Sequence, residues 1–177
     1  MKMPYIEQQF EHHGLPCVVI MTSMGHRCGY VGVSQEHPLH GVGMSDKVFP
    51  RDMVEGMSVG TRGIMPLFFA AFSGDDSMIP LDLYFDVHGS ITYSEHDNSY
   101  RFGKEGMWWF GFDCGHHGDA REIDHPAVDE STRRVERDFP SRGIVRTLEY
   151  CVAECKKLAD QLHELQRIGW TIAKEGN

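Results

Sequence analysis

The 177-residue chain lacks three patterns that would assign it to a class at once. Its longest apolar stretch, Met65 to Phe72, is interrupted by Pro66 and is far shorter than the roughly 20 apolar residues that span a bilayer. Its five cysteines form no C-x-x-C pair. Positive charge is scarce, since 17 Lys and Arg face 26 Asp and Glu and give a net charge of −9.

These absences predict a location and exclude some partners. Nucleic-acid binders normally carry a basic stripe, and anionic membrane surfaces attract basic segments, so we expect neither partner. Residues 1–5 lack the apolar core of a signal peptide. Cys151 and Cys155 lie one helical turn apart and are expected to be small buried residues. A reduced, cytoplasmic location fits best.

What is present is an ordinary globular composition with many histidines. Hydrophobic residues make up 41% and charged residues 24% of the chain, which excludes a disordered or fibrous protein. The length predicts a single domain over residues 1–177. The 11 histidines are the unusual feature, because imidazoles titrate near neutral pH and commonly bind metals.

Four segments have strand character. Leu15 to Met21 and Arg27 to Val33 flank a turn and predict a hairpin. Leu81 to Tyr93 and Met107 to Asp113 alternate apolar and polar residues, which indicates half-buried strands. The segment Phe68 to Phe72 is apolar and fits either a helix or a strand.

The C-terminal part predicts an amphipathic helix. From Ile144 to Leu165 apolar residues recur every three or four positions, with a start signal at Pro140 and Ser141 and a stop at Gly169. Strands followed by a long helix predict an α+β fold, in which an antiparallel sheet built from hairpins packs against this helix. The helix could also form an interface between copies of the chain if its apolar stripe exceeds what the sheet covers.

A hairpin between the last two predicted strands would gather acids and histidines. Pairing Tyr93 with Met107 sets Gly89 opposite Gly111, and such glycines leave space for a ligand or a second backbone. One end of the sheet would then hold the candidate catalytic residues Asp86, His88, Asp113, His116 and Asp119.

This set suits more than one kind of chemistry. A carboxylate beside a histidine fixes its tautomer and raises its basicity, so His88 and His116 are candidate general acid and base, oriented by the aspartates. Asp86, His88, Asp113 and His116 are alternatively candidate ligands of a divalent metal ion, although no standard metal motif is present. A third alternative is a buried polar network that only braces a loop.

Further residues are candidates for ligand binding. Tyr84 and Trp109 are candidate stacking surfaces for a planar ligand, and His37 and His40 lie in a loop that could reach the same site. The full candidate set is Tyr84, Gly89, Ser90, Trp109, Gly111, His117, His37 and His40.

Three phrases carry a resemblance to a known family. They are His26 to Val33, Asp86 to Tyr93 and Trp109 to Asp119, and Arg146 to Cys155 resembles the same family's C-terminal helix. The family comprises small uncharacterised proteins of bacteriophage and prophage genomes, and its pattern often has a second glycine where this chain has Ser90. The resemblance implies a role against host defences, such as cleaving or sequestering nucleotide second messengers.

The sequence thus favours a small cytoplasmic enzyme that acts on a phosphorylated or nucleotide-like small molecule. The alternatives are a protein that sequesters such a ligand, a metal-dependent hydrolase, and an interaction protein with a structural brace. Between Asp82 and Asp138 thirteen acids face six Lys and Arg, a local balance of −7. This charge favours aspartates as histidine partners or metal ligands over a bare phosphate pocket.

Overall fold

The computed structural model describes residues 5–50, 78–96, 102 and 105–170. The elements in chain order are β1 (Tyr5–His12), β2 (Leu15–Met21), β3 (Arg27–Val33), β4 (Lys47–Pro50), β5 (Met78–Pro80), α1 (Leu81–Tyr84), β6 (Tyr93–His96), β7 (Trp108–Asp113), β8 (Asp119–Ala120), α2 (Glu130–Asp138), β9 (Ile144–Val145) and α3 (Leu148–Arg167). The predicted segment Phe68 to Phe72 lies outside the described residues.

A five-stranded antiparallel sheet and α3 form the body of the fold. The strand order is β1-β2-β3-β7-β6, and α3 packs on β2 and β3. One sheet face and the helix enclose the main core, while the other face carries a smaller cluster with Tyr30, Phe102 and Trp109. The α+β class predicted from the sequence is confirmed.

The hairpin of β2 and β3 has the predicted bounds, and both strands are buried along their whole length. The register sets Met21 opposite Arg27. Strand β1, which the sequence analysis did not identify, covers the outer edge of β2.

Helix α3 confirms the predicted amphipathic helix but begins later than expected. The Thr147 side chain accepts a hydrogen bond from the Tyr150 amide and caps the first turn. Ile144, predicted to begin the apolar stripe, instead lies exposed in β9, which pairs with β8. At the other end Gly169 adopts a positive φ of 65° and closes a Schellman motif, with the Trp170 amide donating to the Leu165 carbonyl.

The apolar stripe of α3 is covered within one chain. Its inward residues are fully buried against the sheet: Cys151, Cys155, Leu158, Ala159, Leu162 and Leu165. An interface between copies of the chain through this helix stays a prediction. None of the described helices is both long and apolar enough to cross a membrane.

The predicted strand from Leu81 to Tyr93 is wrong. The chain forms the short helix α1, then an irregular loop, and only Tyr93–His96 pairs with β7. Gly89 and Ser90 adopt positive φ angles of 67° and 81°, which a strand cannot accommodate. Phe85, Val87 and Ile91 are nevertheless buried. The alternation of apolar and polar residues therefore predicted correctly which side chains enter the core, but it did not predict the backbone conformation.

The proposed register between the last two predicted strands is also wrong. Tyr93 lies opposite Gly111 rather than Met107, and His96 lies opposite Trp108. Neither glycine faces an open space, because the His116 ring fills the position beside Gly89 and the Tyr30 ring fills the position beside Gly111.

Candidate functional site

The loop that carries His88 is held by α3 rather than by the sheet. The Asp86 amide donates to Gln161 Oε1 and the Asp86 carbonyl accepts from Gln161 Nε2, both at 2.9 Å. The His88 amide donates to Glu154 Oε2 at 2.7 Å. These bonds satisfy backbone groups that have no strand partner, and they fix where the His88 imidazole points.

Asp119 is the centre of the site. Its side chain is 3% exposed, and Oδ1 accepts from Arg146 Nε at 2.7 Å. Oδ2 accepts from the His116 amide at 3.1 Å and lies 2.8 Å from His88 Nε2. Burial alone would raise the pKa of this carboxyl, but the bonds from Arg146, His88 and the His116 amide outweigh it and hold the pKa below its usual value.

Both ring nitrogens of His88 are engaged. An ionised carboxylate only accepts hydrogen bonds, so His88 Nε2 carries the proton that bonds Asp119. In the neutral imidazole Nδ1 then accepts from the Tyr150 hydroxyl, 3.0 Å away. Burial and the Glu154 carboxylate raise the pKa of Tyr150, which keeps this hydroxyl protonated as a donor.

Arg146 supplies the positive charge of the site. Its guanidinium bonds Asp119 and lies 5.0 Å from the centre of the Tyr150 ring, a cation–π distance. We call the set His88, His116, Asp119, Arg146 and Tyr150 the inner cluster.

His116 is the accessible imidazole of the inner cluster. Its side chain is 36% exposed, and its ring centre lies 5.6 Å from that of His88. Nδ1 lies 3.8 Å from Asp113 Oδ1 and 3.9 Å from Asp119 Oδ2, too far for a hydrogen bond to either. This nitrogen is buried and has no hydrogen-bond partner among the described residues, so the exposed part of the ring comprises its other atoms.

A cleft of about 400 Å³ lies near the inner cluster, and Asp113, whose Oδ1 is 3.8 Å from His116 Nδ1, is one of its lining residues. It is lined by His26, Tyr30, Tyr93 and Asp113 among others, on the sheet face opposite α3. His26 and Asp113 flank Gly115, the residue before His116. Burial lowers the pKa of His26 and favours its neutral form, although the Asp113 carboxylate opposes this shift. The cleft therefore offers aromatic and polar groups, with Asp113 as its link to the inner cluster.

The inner cluster also has the composition of a metal site. One donor atom each from His88, His116 and Asp119 lie within 4.8 Å of one another. The set differs from the one predicted, because Asp86 pairs with Lys157 at 2.9 Å and Asp119 stands in its place. Two imidazoles and a carboxylate suit zinc and similar ions.

The convergence predicted from the sequence is found, although it arises differently. His88, His116, Asp113 and Asp119 lie together, and Asp86 is turned towards α3. Gly89 lies against the His116 ring and so borders the inner cluster.

Several candidate ligand-binding residues are placed elsewhere. Trp109 is 1% exposed and packs edge-to-face on Phe102, and Tyr84 is buried and stacks on Phe49. Neither ring presents an open face, so the stacking role assigned to them does not fit. Ser90 is half-buried in the loop after Gly89, and His117 is exposed.

The two histidines of the long loop do not reach the site. The buried His37 bonds the Leu162 carbonyl through Nε2 at 3.0 Å, and its Nδ1 accepts from the Leu39 amide. His40 bonds the Gly106 carbonyl at 3.1 Å. Both imidazoles brace the loop instead of approaching His116.

Sequence analysis missed three residues that build the site. Arg146, Tyr150 and Glu154 come from the start of α3 and the segment before it. Their signal was the phrase from Arg146 to Cys155, which was interpreted only as a core-packing helix. The polar side of that helix organises the inner cluster while its apolar side packs on the sheet.

Comparison with known proteins adds no assignment. No family model, no curated protein and no solved structure matches the chain.

Proposed function

We propose that this protein is an enzyme that moves protons through His116 while it acts on a phosphorylated or nucleotide-like small molecule. One observation carries the proposal: the His116 side chain is 36% exposed while its Nδ1 lies 3.8 Å and 3.9 Å from the carboxylates of Asp113 and Asp119. A histidine next to a carboxylate is suited to general acid–base catalysis.

The remaining members of the inner cluster position the reacting group. Asp119 fixes the His116 backbone through its amide and fixes His88 through Nε2. Since His88 has both nitrogens engaged, it acts as a positioning residue, and His116 transfers the proton. Arg146 keeps Asp119 ionised, so the carboxylate can stabilise a protonated His116.

Charge narrows the class of substrate. The local excess of acids between Asp82 and Asp138 repels anions at long range, so a nucleoside or a phosphodiester with one charge is favoured over a triphosphate. The half-buried Tyr93 in the lining of the cleft would contact a base. The resemblance to phage proteins supports a location in the host cytoplasm. It also supports a nucleotide signal as the substrate.

A product assay with matched variants tests the proposal. The untagged protein is incubated with nucleosides, nucleoside monophosphates, cyclic mononucleotides and cyclic dinucleotides, and products are separated by chromatography. We expect turnover of at least one compound, and His116→Gln should lower kcat by about 10²–10⁴-fold. His96→Gln, which changes an exposed histidine of β6, is the control and should keep full turnover.

Two results would contradict the proposal that the protein is an enzyme. If every compound is recovered intact after the protein is denatured, yet one is retained by the folded protein, the function is sequestration. If nothing is bound or converted, while His116→Gln remains folded, the cluster is a structural brace.

A metal-dependent hydrolase is the second candidate, and the three donor atoms within 4.8 Å favour it. Here His88, His116 and Asp119 would hold the ion, which would activate water. Removal of metal by a chelator should then abolish turnover, and added Zn²⁺ or Mn²⁺ should restore it. Turnover that survives chelation supports acid–base catalysis by His116 alone.

A further inference from the structure

A second histidine–aspartate group lies where the β1–β2 hairpin meets α3. His12 Nε2 and His13 Nε2 lie 2.7 Å and 2.9 Å from the same atom, Asp160 Oδ1. The His163 ring stacks on the His13 ring, with centres 4.6 Å apart and planes 9° apart. We call His12, His13, Asp160 and His163 the outer cluster.

The backbone between β1 and β2 is shaped so that both imidazoles meet one carboxylate. Neighbouring residues of a strand normally point to opposite faces. His13 and Gly14 instead adopt positive φ angles of 53° and 75° and form the two-residue turn that closes the hairpin. Because His13 leaves the strand conformation, its ring turns to the side of His12, and the two ring centres lie 4.3 Å apart.

Helix α3 supplies the other half of the group. Asp160 and His163 are three residues apart, so they share one face of the helix. Asp160 is 56% exposed and His13 is 44% exposed. The donor atoms of His12, His13 and Asp160 lie within 4.8 Å of one another at the surface, where an ion can enter.

We propose that the outer cluster is a binding site for a divalent transition-metal ion, with Zn²⁺ as the fitting example. The protein ligands are His12 Nε2, His13 Nε2 and Asp160 Oδ1, which leaves the fourth tetrahedral position to water. Imidazole nitrogen with one carboxylate oxygen is a ligand chemistry that zinc prefers. Mg²⁺ and Ca²⁺ require mainly oxygen ligands and do not fit.

The observed distances leave room for this ion after a small movement. Zinc bonds of about 2.0–2.1 Å in a tetrahedron separate neighbouring donors by about 3.3 Å. The two imidazoles now lie 2.7 Å and 2.9 Å from the carboxylate oxygen. The donors therefore move apart by roughly half an ångström, which exposed side chains allow.

Binding would join two distant parts of the chain. His12 and His13 belong to the β1–β2 hairpin, while Asp160 and His163 lie 147 or more residues later in the last helix. An ion that binds only the folded protein stabilises it in proportion to its concentration. Zinc should therefore raise the temperature of unfolding.

The test uses untagged protein treated with a chelator and then titrated with zinc chloride by calorimetry. The wild-type chain should bind Zn²⁺ with a dissociation constant below about 10 µM and ignore magnesium chloride. Asp160→Asn and His13→Gln should each weaken binding by about 100-fold or more, since even an outer-shell change costs 10–100-fold. His163→Gln should weaken it less, and His96→Gln, at an exposed histidine of β6, should not change it.

The inner cluster must be excluded by the same titration. His116→Gln should leave the zinc affinity unchanged if the ion is held by the outer cluster. Zinc binding that survives Asp160→Asn and His13→Gln, or that is lost in His116→Gln, would overturn the proposal, as would an absence of zinc binding in the wild-type chain. All variants are compared by circular dichroism, and the readout does not depend on turnover by His116.

Discussion

Two clusters in this molecule are built from the same residue types and differ in almost everything else. Each sets two histidines around one aspartate, Asp119 in the inner cluster and Asp160 in the outer one. Asp119 is 3% exposed, whereas Asp160 is 56% exposed. Solvent therefore screens one carboxylate and is largely excluded from the other.

The partners of the two aspartates follow from this difference in burial. Asp119 receives bonds from Arg146 and from the His116 backbone as well as from His88. Asp160 is contacted by the rings of His12 and His13. A buried carboxylate needs such compensation, while an exposed one keeps its hydration. The carboxylate of the inner cluster is thus held by several bonds, and that of the outer cluster stays open to solvent.

The largest expected contrast is between the two aspartates. Asp119→Ala should reduce the free energy of unfolding by about 3 kcal/mol, because it leaves Arg146 and His88 without their partner in a buried site. Asp160→Ala should cost less than about 1 kcal/mol, as for an exposed ion pair. Urea unfolding of both variants in the absence of metal measures the difference, and equal losses would contradict it.

Two glycines with similar backbone angles give the next contrast. Gly89 has a φ of 67° and its missing Cβ position is filled by the His116 ring, whereas Gly14 has a φ of 75° and open space around it. Gly14→Ala should cost about 1 kcal/mol from the left-handed backbone alone.

Gly89→Ala should cost a further 1–3 kcal/mol or so, because the added methyl group must displace the imidazole. Urea unfolding gives both values, and NMR of the His116 ring shows whether it has moved. A Gly89→Ala variant as stable as Gly14→Ala would mean that the His116 ring is not held against the loop.

A smaller effect is expected at the hydroxyl of Tyr150. Tyr150→Phe removes the bond to His88 Nδ1 and should lower the free energy of unfolding by about 1 kcal/mol. Tyr5→Phe, at a half-exposed tyrosine of β1, is the control and should stay within about 0.5 kcal/mol. If both variants unfold alike in urea, the tyrosine does not support the imidazole.

The last prediction concerns the stability of the fold at low pH. The pKa of Asp119 is lower in the folded chain than in the unfolded chain, so the unfolded state binds more protons between those two values. Stability contributed by Asp119 is complete above the unfolded pKa, near about 4, and is lost as the pH falls through the folded value.

Arg146→Met removes the strongest bond that depresses this pKa and should flatten the loss of stability below about pH 4. Urea midpoints of wild type and variant across that range provide the measurement. If the urea midpoint of the variant falls with pH as steeply as that of the wild type, Arg146 does not control the ionisation of Asp119.

The site shows where inference from sequence succeeds and where it stops. Spacing along the chain was enough to group His88 with His116 and Asp119. The expected route through a strand ladder failed because Gly89 and Ser90 adopt left-handed angles. The roles of Arg146 and Tyr150 could not be found, because they depend on how α3 is placed against the loop.

The same limit applies to the histidines that seemed unrelated to function. The sequence patterns assign no role to His12, His13 and His163, since nothing in the sequence brings residue 13 beside residue 163. Only the packing of α3 against the sheet does so.

The sequence by itself determined the α+β class, the β2–β3 hairpin and the long amphipathic helix. These follow from hydrophobic periodicity, which depends only on residues close together in the chain. It also indicated that Cys151 and Cys155 would be buried, which is confirmed. Tertiary structure alone decided which carboxylate each imidazole meets. A contact between distant residues depends on the angle and position at which whole elements pack, and no local pattern encodes that.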